Sequence, residues 1–135
     1  MGKVRLCKDC VASGHEGKPR PAPHPGPRCA THHREVRKAK VARAHERRTV
    51  RTYEIPEGGY DRLKEYQGGT CAIFRCRATG ASKNLAVDHN HSTGEVRGLL
   101  CSKHNRMLGE NYDDPEVFRS IADYLENPPA RALFG

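Results

Sequence analysis

Three groups of residues in this chain have the types and spacing for chemistry. Cys7, Cys10, Cys29 and His32 read Cys-x2-Cys-x18-Cys-x2-His, and Cys71, Cys76, Cys101 and His104 read Cys-x4-Cys-x24-Cys-x2-His. Pairs of thiolate and imidazole ligands a few residues apart each hold one side of a tetrahedral ion. Both groups therefore predict zinc, in a structural role, because four protein ligands leave no position open for water. His33, beside His32, is an equal candidate for the fourth place in the first group. The x4 spacing of the second is looser than the usual x2, so that site is expected with either four ligands or three.

The third group is Asp88, His89, His91 and Asn105, which zinc does not use. A carboxylate and an amide oxygen are hard ligands that suit magnesium, with manganese as a substitute. A histidine titrates near neutral pH, so one beside such an ion can take a proton from water. The chemistry this predicts is phosphodiester hydrolysis: the metal steadies charge on the leaving oxygen and a histidine activates the attacking water. Taken singly, Asp88 reads as a turn cap and Asn105 as a surface amide. Their place between two zinc anchors argues for the joint role.

The elements that must hold these residues follow from pattern. "NLAVDH" and "EVRGLLC" predict two short strands joined by a turn at "STGE", so Asp88 and His89 end the first strand. "SKHNRMLGEN" predicts a helix with Ser102 as a possible cap, which sets Asn105 next to a zinc ligand. "GGYDRLKEYQGG" predicts a short helix with Tyr60, Leu63 and Tyr66 at helical spacing, stopped by Gly68 and Gly69. "DDPEVFRSIADYLENPP" predicts a helix capped by Asp114, begun by Pro115 and stopped by Pro128 and Pro129. Its apolar face is Val117, Phe118, Ile121, Tyr124 and Leu125. The proline-rich "GHEGKPRPAPHPGPR" excludes helix and central strand. From Thr31 or His32 to about Arg48 the chain has no Gly or Pro and predicts a surface helix, with residues 49–57 as a connector.

Composition bounds the rest. The chain has 135 residues, 36% of them hydrophobic and none of them Trp, so a core this thin calls for staples such as zinc. The opening "MGKVRLCKDC" is polar and basic, and no apolar run nears the ~20 residues of a membrane span. A cytoplasmic protein with reduced cysteines is expected, and no membrane partner. The net charge of +8 is uneven: residues 1–52 hold fourteen Lys/Arg against four Asp/Glu, and residues 53–135 hold ten against twelve. A basic excess confined to one end predicts a polyanion partner, most simply DNA. Arg34, Arg37, Lys38, Lys40, Arg43, Arg47 and Arg48 on the surface helix are the candidate phosphate contacts.

The string "VDHNHSTGEVRGLLCSKHN", followed by "LG", resembles the HNH (His-Me finger) nucleases, and among them the phage recombination endonuclease VII family. That family has a Val-Asp-His-Asp-His strand end, a Gly-x-Val-Arg-Gly-Leu-Leu-Cys second strand and a helix closing its motif in Asn. The likeness covers residues 60 to about 127 and is dense from 85 to 109. It implies a zinc-stapled ββα-metal endonuclease that cuts branched DNA, notably four-way (Holliday) junctions, in a bacterial host's cytoplasm. By position, it implies that Asp88 and Asn105 hold the catalytic magnesium and that His89 is the general base. His91 would support the metal or the scissile phosphate, and Arg97 would contact phosphate. Three positions depart from the pattern. The knuckle has Phe74 where the second cysteine is usual and uses Cys76 instead, His104 replaces a cysteine, and Asn90 stands where Asp is common.

The expected fold is thus a small zinc-stabilised α+β protein. Residues 1–52 form a basic zinc module that grips phosphate backbone, and residues 53–135 form a ββα-metal nuclease domain. The resemblance also implies a homodimer, although only 31 residues follow His104. The alternatives are an HNH endonuclease that nicks duplex DNA without regard to branches, and a two-zinc DNA-binding module without catalysis.

Overall fold

The computed structural model describes residues 4–14, 18–23, 26–74, 76–81 and 83–135. It contains helices α1 (Lys8–Ala12), α2 (Ala30–Tyr53) and α3 (Gly59–Tyr66), strands β1 (Ala86–His89) and β2 (Val96–Leu100), and helices α4 (Ser102–Glu110), α5 (Pro115–Glu126) and α6 (Pro129–Phe134). The chain divides into two compact units, Met1–Arg48 and Thr49–Gly135. Parts of the proline-rich segment, 15–17 and 24–25, lie outside the described residues. No helix among the described residues is long and apolar enough to cross a membrane.

In the first unit the buried cluster is Cys7, Cys10 and Cys29. Backbone bonds draw the segments around it together: Cys7 N donates to Arg20 O and Ala22 N to Arg5 O. Helix α2 is longer than its composition predicts. No breaker intervenes before Pro56, so the helix runs through residues 49–53 and ends where Glu54 turns left-handed at φ 53°. The expected connector is thereby shortened to a few residues.

The second unit is built around an antiparallel β1–β2 hairpin. Its core is Tyr60, Cys71, Leu85, Val87, Leu99 and Leu100. Helix α3 packs Tyr60 inward, with the hydroxyl donating to the buried Leu85 carbonyl at 3.1 Å. Tyr66, at helical spacing from Tyr60 and Leu63, is 90% exposed. The inward line runs Tyr60, Leu63, Gln67, and Gln67 stands in for a missing strand. Its Oε1 accepts from Leu99 N at 2.8 Å, while its Nε2 donates to Leu99 O and to Thr70 O. Gly98 leaves room for this: a Cβ there would stand 3.1 Å from Gln67 Oε1.

The hairpin register pairs Val87 with Leu99 and Asp88 with Gly98, then slips so that His89 pairs with Val96. Arg97 is the extra residue of this bulge. The turn is closed by Asn90, whose Oδ1 accepts from the amides of Ser92 and Thr93.

Helix α4 packs on both strands. Its N-cap is Cys101, not Ser102, which is the first helical residue. Asp114 caps α5 by accepting from Glu116 N, with Pro115 at the first position, as its sequence predicts. The apolar face of α5 is not buried. Val117 and Phe118 are half-buried, but Ile121, Tyr124 and Leu125 are 45%, 61% and 69% exposed. Helix α5 ends at Glu126, just ahead of the double proline, as expected, and a further short helix starts at once. Pro128 is the N-cap of α6 and Pro129 its first residue, a position where a missing N–H costs nothing.

Candidate functional site

The ligand atoms of Cys7, Cys10, Cys29 and His32 all lie within 4.8 Å of one another, and so do those of Cys71, Cys76, Cys101 and His104. A tetrahedral zinc with Zn–S near 2.3 Å and Zn–N near 2.05 Å requires S···S of about 3.8 Å and S···N of about 3.6 Å. In the first cluster Cys10 and Cys29 sulfurs are 3.9 Å apart, and His32 Nδ1 lies 3.2, 3.5 and 3.5 Å from the sulfurs of Cys7, Cys10 and Cys29. In the second, Cys76 and Cys101 sulfurs are 3.9 Å apart, and His104 Nδ1 is 3.4 Å from those of Cys71 and Cys101. Both donor sets fit the ion. His32 rather than His33 supplies the fourth atom. The longer knuckle is absorbed by a turn in which Cys76 N donates to Ile73 O and Phe74 lies 84% exposed, so Cys76 still reaches the cluster.

The surroundings favour the thiolate at Cys7 and Cys101, whereas Cys10 is shifted up and burial pushes the Cys71 thiol up. Burial pushes the Cys7 thiol up, but the backbone amides of Cys29 and Cys10 and the His32 ring outweigh it and bring it to about 6. At the head of α4 the amide of His104 draws the Cys101 thiol down, against burial. His32 Nε2 is 3.9 Å from Glu35 Oε2, on the side where a carboxylate orients a metal-bound imidazole. The two clusters suggest two zinc sites, each closed.

The third group gathers on the hairpin. Asp88 is buried, with its side chain 10% exposed. Arg97 Nε donates to its Oδ2 at 2.8 Å and Nη2 to its Oδ1 at 2.9 Å, a bidentate pair. In a regular ladder Arg97 would face away from Asp88, because neighbouring strand residues alternate. The bulge turns it back. Its Nη2 also donates to the His89 carbonyl at 3.2 Å. The hydrogen bonds to Asp88, then those to Asp113, raise the Arg97 pKa further above its ordinary value. The His89 ring meets the His91 ring at 4.8 Å between centroids and the edge of Tyr53 at 5.3 Å.

His91 sits in the turn with its side chain 72% exposed. Asn105 is half-buried on α4, and among the described residues no hydrogen bond joins its amide to Asp88 or His89. Asn90, which stands where the resembling family often has Asp, spends its side-chain oxygen on the turn amides.

Tyr53 and Asp113 belong to this neighbourhood and were not anticipated from sequence. Tyr53 falls inside the expected connector, residues 49–57, and it meets His89 from the last turn of α2. Asp113 lies among "NYDDPE", where the following Asp114 is the readable cap.

On α2, Arg34, Arg37, Lys38, Lys40, Arg43, Arg47 and Arg48 are all exposed. Lys40, Arg43 and Arg47 join Arg28, Val36 and Ala39 in lining a groove. Positions 36, 40, 43 and 47 follow one helical face. Arg28, the loop residue of this set, also donates to Asp9 at 2.7 Å.

A hairpin and helix drawn together by a Cys3His cluster that suggests a zinc site, with a carboxylate, an arginine and two histidines on the hairpin, define a small mixed α and β unit with a polar face. Residues 46–127 match the sequence profile of recombination endonuclease VII. The chain is 48% identical over 134 residues to the gene 59 protein of Mycobacterium phage L5 and 47% identical to that of Mycobacterium phage D29. Each alignment spans 98% of this chain and 80% of the relative. No solved structure matches the chain. The chain belongs to the recombination endonuclease VII family, which implies a nuclease acting on DNA.

Proposed function

We propose that this protein is a magnesium-dependent endonuclease that hydrolyses phosphodiesters in branched DNA such as four-way junctions. The observation that carries the reading is the hairpin end, where Asp88 and His89 stand side by side against Arg97 inside the family match. Asp88 and Asn105 are the oxygen ligands that would hold magnesium, or manganese in its place. The ion would stabilise charge on the leaving oxygen. Asp88 is a hard, buried carboxylate, and Asn105 is set by α4 on the same two strands.

His89 takes the proton of the attacking water as the new P–O bond forms and the opposite ester bond breaks. The Tyr53 ring edge limits the imidazole's rotation. Arg97 meets a non-bridging phosphate oxygen, and His91, exposed in the turn with Nε2 3.7 Å from Asp113, supports the metal or the same phosphate. The ββα-metal description of this unit rests on the same order of elements, β1, β2 and α4.

Residues 1–52 are proposed as the module that grips the phosphate backbone and residues 53–135 as the nuclease domain. The groove of Lys40, Arg43 and Arg47 supports the first role, because closely spaced cations on one helix face match a polyanion without reading bases. A homodimer is supported by the exposed apolar face of Ile121, Tyr124 and Leu125. Two copies would suit paired cuts in a symmetric junction.

The test is cleavage with magnesium of a labelled four-way junction and a linear duplex of the same sequence, mixed in one tube, against a chelator control. Paired cuts near the branch point are expected. Equal nicking of both DNAs refutes junction selectivity, and tight binding without any cutting refutes the hydrolytic site.

A further inference from the structure

Arg97 depends on a second carboxylate. Its Nη2 lies 3.1 Å from Asp113 Oδ2, while Nε and Nη2 together clasp Asp88. The same Asp113 oxygen is 3.7 Å from His91 Nε2. Asp113 is therefore the point at which side chains from β2 and from the turn converge on the α4–α5 loop. It is no incidental surface acid: its side chain is only 14% exposed. The backbone is bent to deliver it. Tyr112 and Asp113 both adopt φ 55°, and this left-handed pair is pinned by Asp113 N donating to Leu108 O at 3.0 Å and Tyr112 N to Gly109 O at 3.2 Å. Asp tolerates this conformation better than Tyr does, and strain in two successive residues persists only where the surroundings enforce it.

Asp88 is asked to serve two groups. In the proposed reaction it is a metal ligand, and in the structure both its oxygens accept from Arg97. With those oxygens engaged elsewhere, an arginine without Asp113 would keep only its 3.2 Å bond from Nη2 to the His89 carbonyl, which fixes one nitrogen and leaves the guanidinium plane free to turn. We infer that Asp113 is a positioning residue: it holds Arg97, and beside it His91, in place independently of Asp88. Among the described residues Arg97 Nη1 makes no hydrogen bond, so the guanidinium keeps one corner for a phosphate oxygen while Asp113 fixes another. The inference rests on the hydrolytic reading of the hairpin, and the experiment separates failure of the one from failure of the other.

The zinc-loaded 135-residue protein is compared with Asp113→Asn, Asp113→Glu, Arg97→Gln and the Asp113→Asn/Arg97→Gln double variant. Zinc content and thermal unfolding establish that each is folded. Without DNA, the Arg97 Nε–Hε NMR resonance is followed as magnesium is added. In the wild type it is expected to shift yet stay sharp, and in Asp113→Asn to broaden away. With a junction substrate, Asp113→Asn is expected to lower kcat by roughly tenfold to a hundredfold, as misplacement of a catalytic group does, with KM little changed. Asp113→Glu recovers part of that loss. In the Arg97→Gln background Asp113→Asn costs less than threefold, because a residue that acts through another has nothing left to act on.

If Asp113→Asn keeps the sharp Arg97 resonance in magnesium, or if its losses simply multiply those of Arg97→Gln, the inference is overturned while the hydrolytic site stands. If the wild-type resonance ignores magnesium altogether, the metal reading of Asp88 fails, and this inference with it.

Discussion

Removing the metal ligands of the first unit should unfold that unit and leave the hairpin intact. The buried residues there are three cysteines, Cys7, Cys10 and Cys29, at 0%, 5% and 3% exposure. Burying three such small side chains stabilises by about 3–5 kcal/mol, at some 0.8 kcal/mol per methylene-sized group. The backbone bonds from Cys7 N to Arg20 O, Lys8 N to Pro27 O and Ala22 N to Arg5 O add about 1 kcal/mol each. Ordering even ten residues of this segment costs roughly 10–20 kcal/mol. A zinc ion in a Cys3His site contributes on the order of 10–16 kcal/mol, so the ion decides the sign. The perturbation is Cys10→Ser/Cys29→Ser, and the assay is bound zinc per chain together with amide NMR. Expected are the loss of one of two zinc ions and collapse of the resonances from α1, with fraying of α2, whose residues 33–44 are all exposed and lack packing of their own. Resonances of β1, β2 and α3 should remain dispersed. Two zinc ions retained, or native α1 resonances without the metal, would refute the reasoning.

Three further outcomes follow from the geometry. Gln67→Ala should destabilise the second unit by about 2–3 kcal/mol in urea unfolding, because the amide of the fully buried Leu99 is left without an acceptor. A loss under 0.5 kcal/mol would mean that Gln67 does not replace a strand. His89→Ala should lower cleavage of a junction by roughly 10²- to 10⁴-fold with binding retained in chelator, measured by single-turnover kinetics and gel shift. A loss of binding in proportion would contradict a proton-transfer role. Converting Lys40, Arg43 and Arg47 to Gln should reduce the log–log salt slope of DNA binding by up to about three, equally for all sequences tested. An unchanged slope would remove the groove from the DNA interface.

What sequence could tell about the site was limited by how each residue acts. The two Cys3His clusters were legible because a tetrahedral ion calls for ligands in short pairs, and His32 is separated from His33 only by which ring turns to the sulfurs. The hairpin, α4 and the Asp114–Pro115 start of α5 were legible from local signals: alternation, a turn and a capping pair. The end of α2 was not, because it depends on tertiary placement of Tyr53 and on one left-handed residue, Glu54, that carries no helix-stop signature. The exposure of Ile121, Tyr124 and Leu125 was equally hidden, since an amphipathic pattern reports a face that needs covering without naming what covers it. Arg97 marks the limit most clearly. Strand alternation sets it on the face opposite Asp88, and only the slip in register between Asp88 and His89 lets the two form a bidentate pair. Asp113 then reaches that pair through two successive left-handed residues, of which Tyr112 has no propensity for that conformation. Local rules are overridden where a carboxylate, a guanidinium and two imidazoles meet, by a slip in register and two successive left-handed residues, and that concentration of departures is itself an argument that the place is functional.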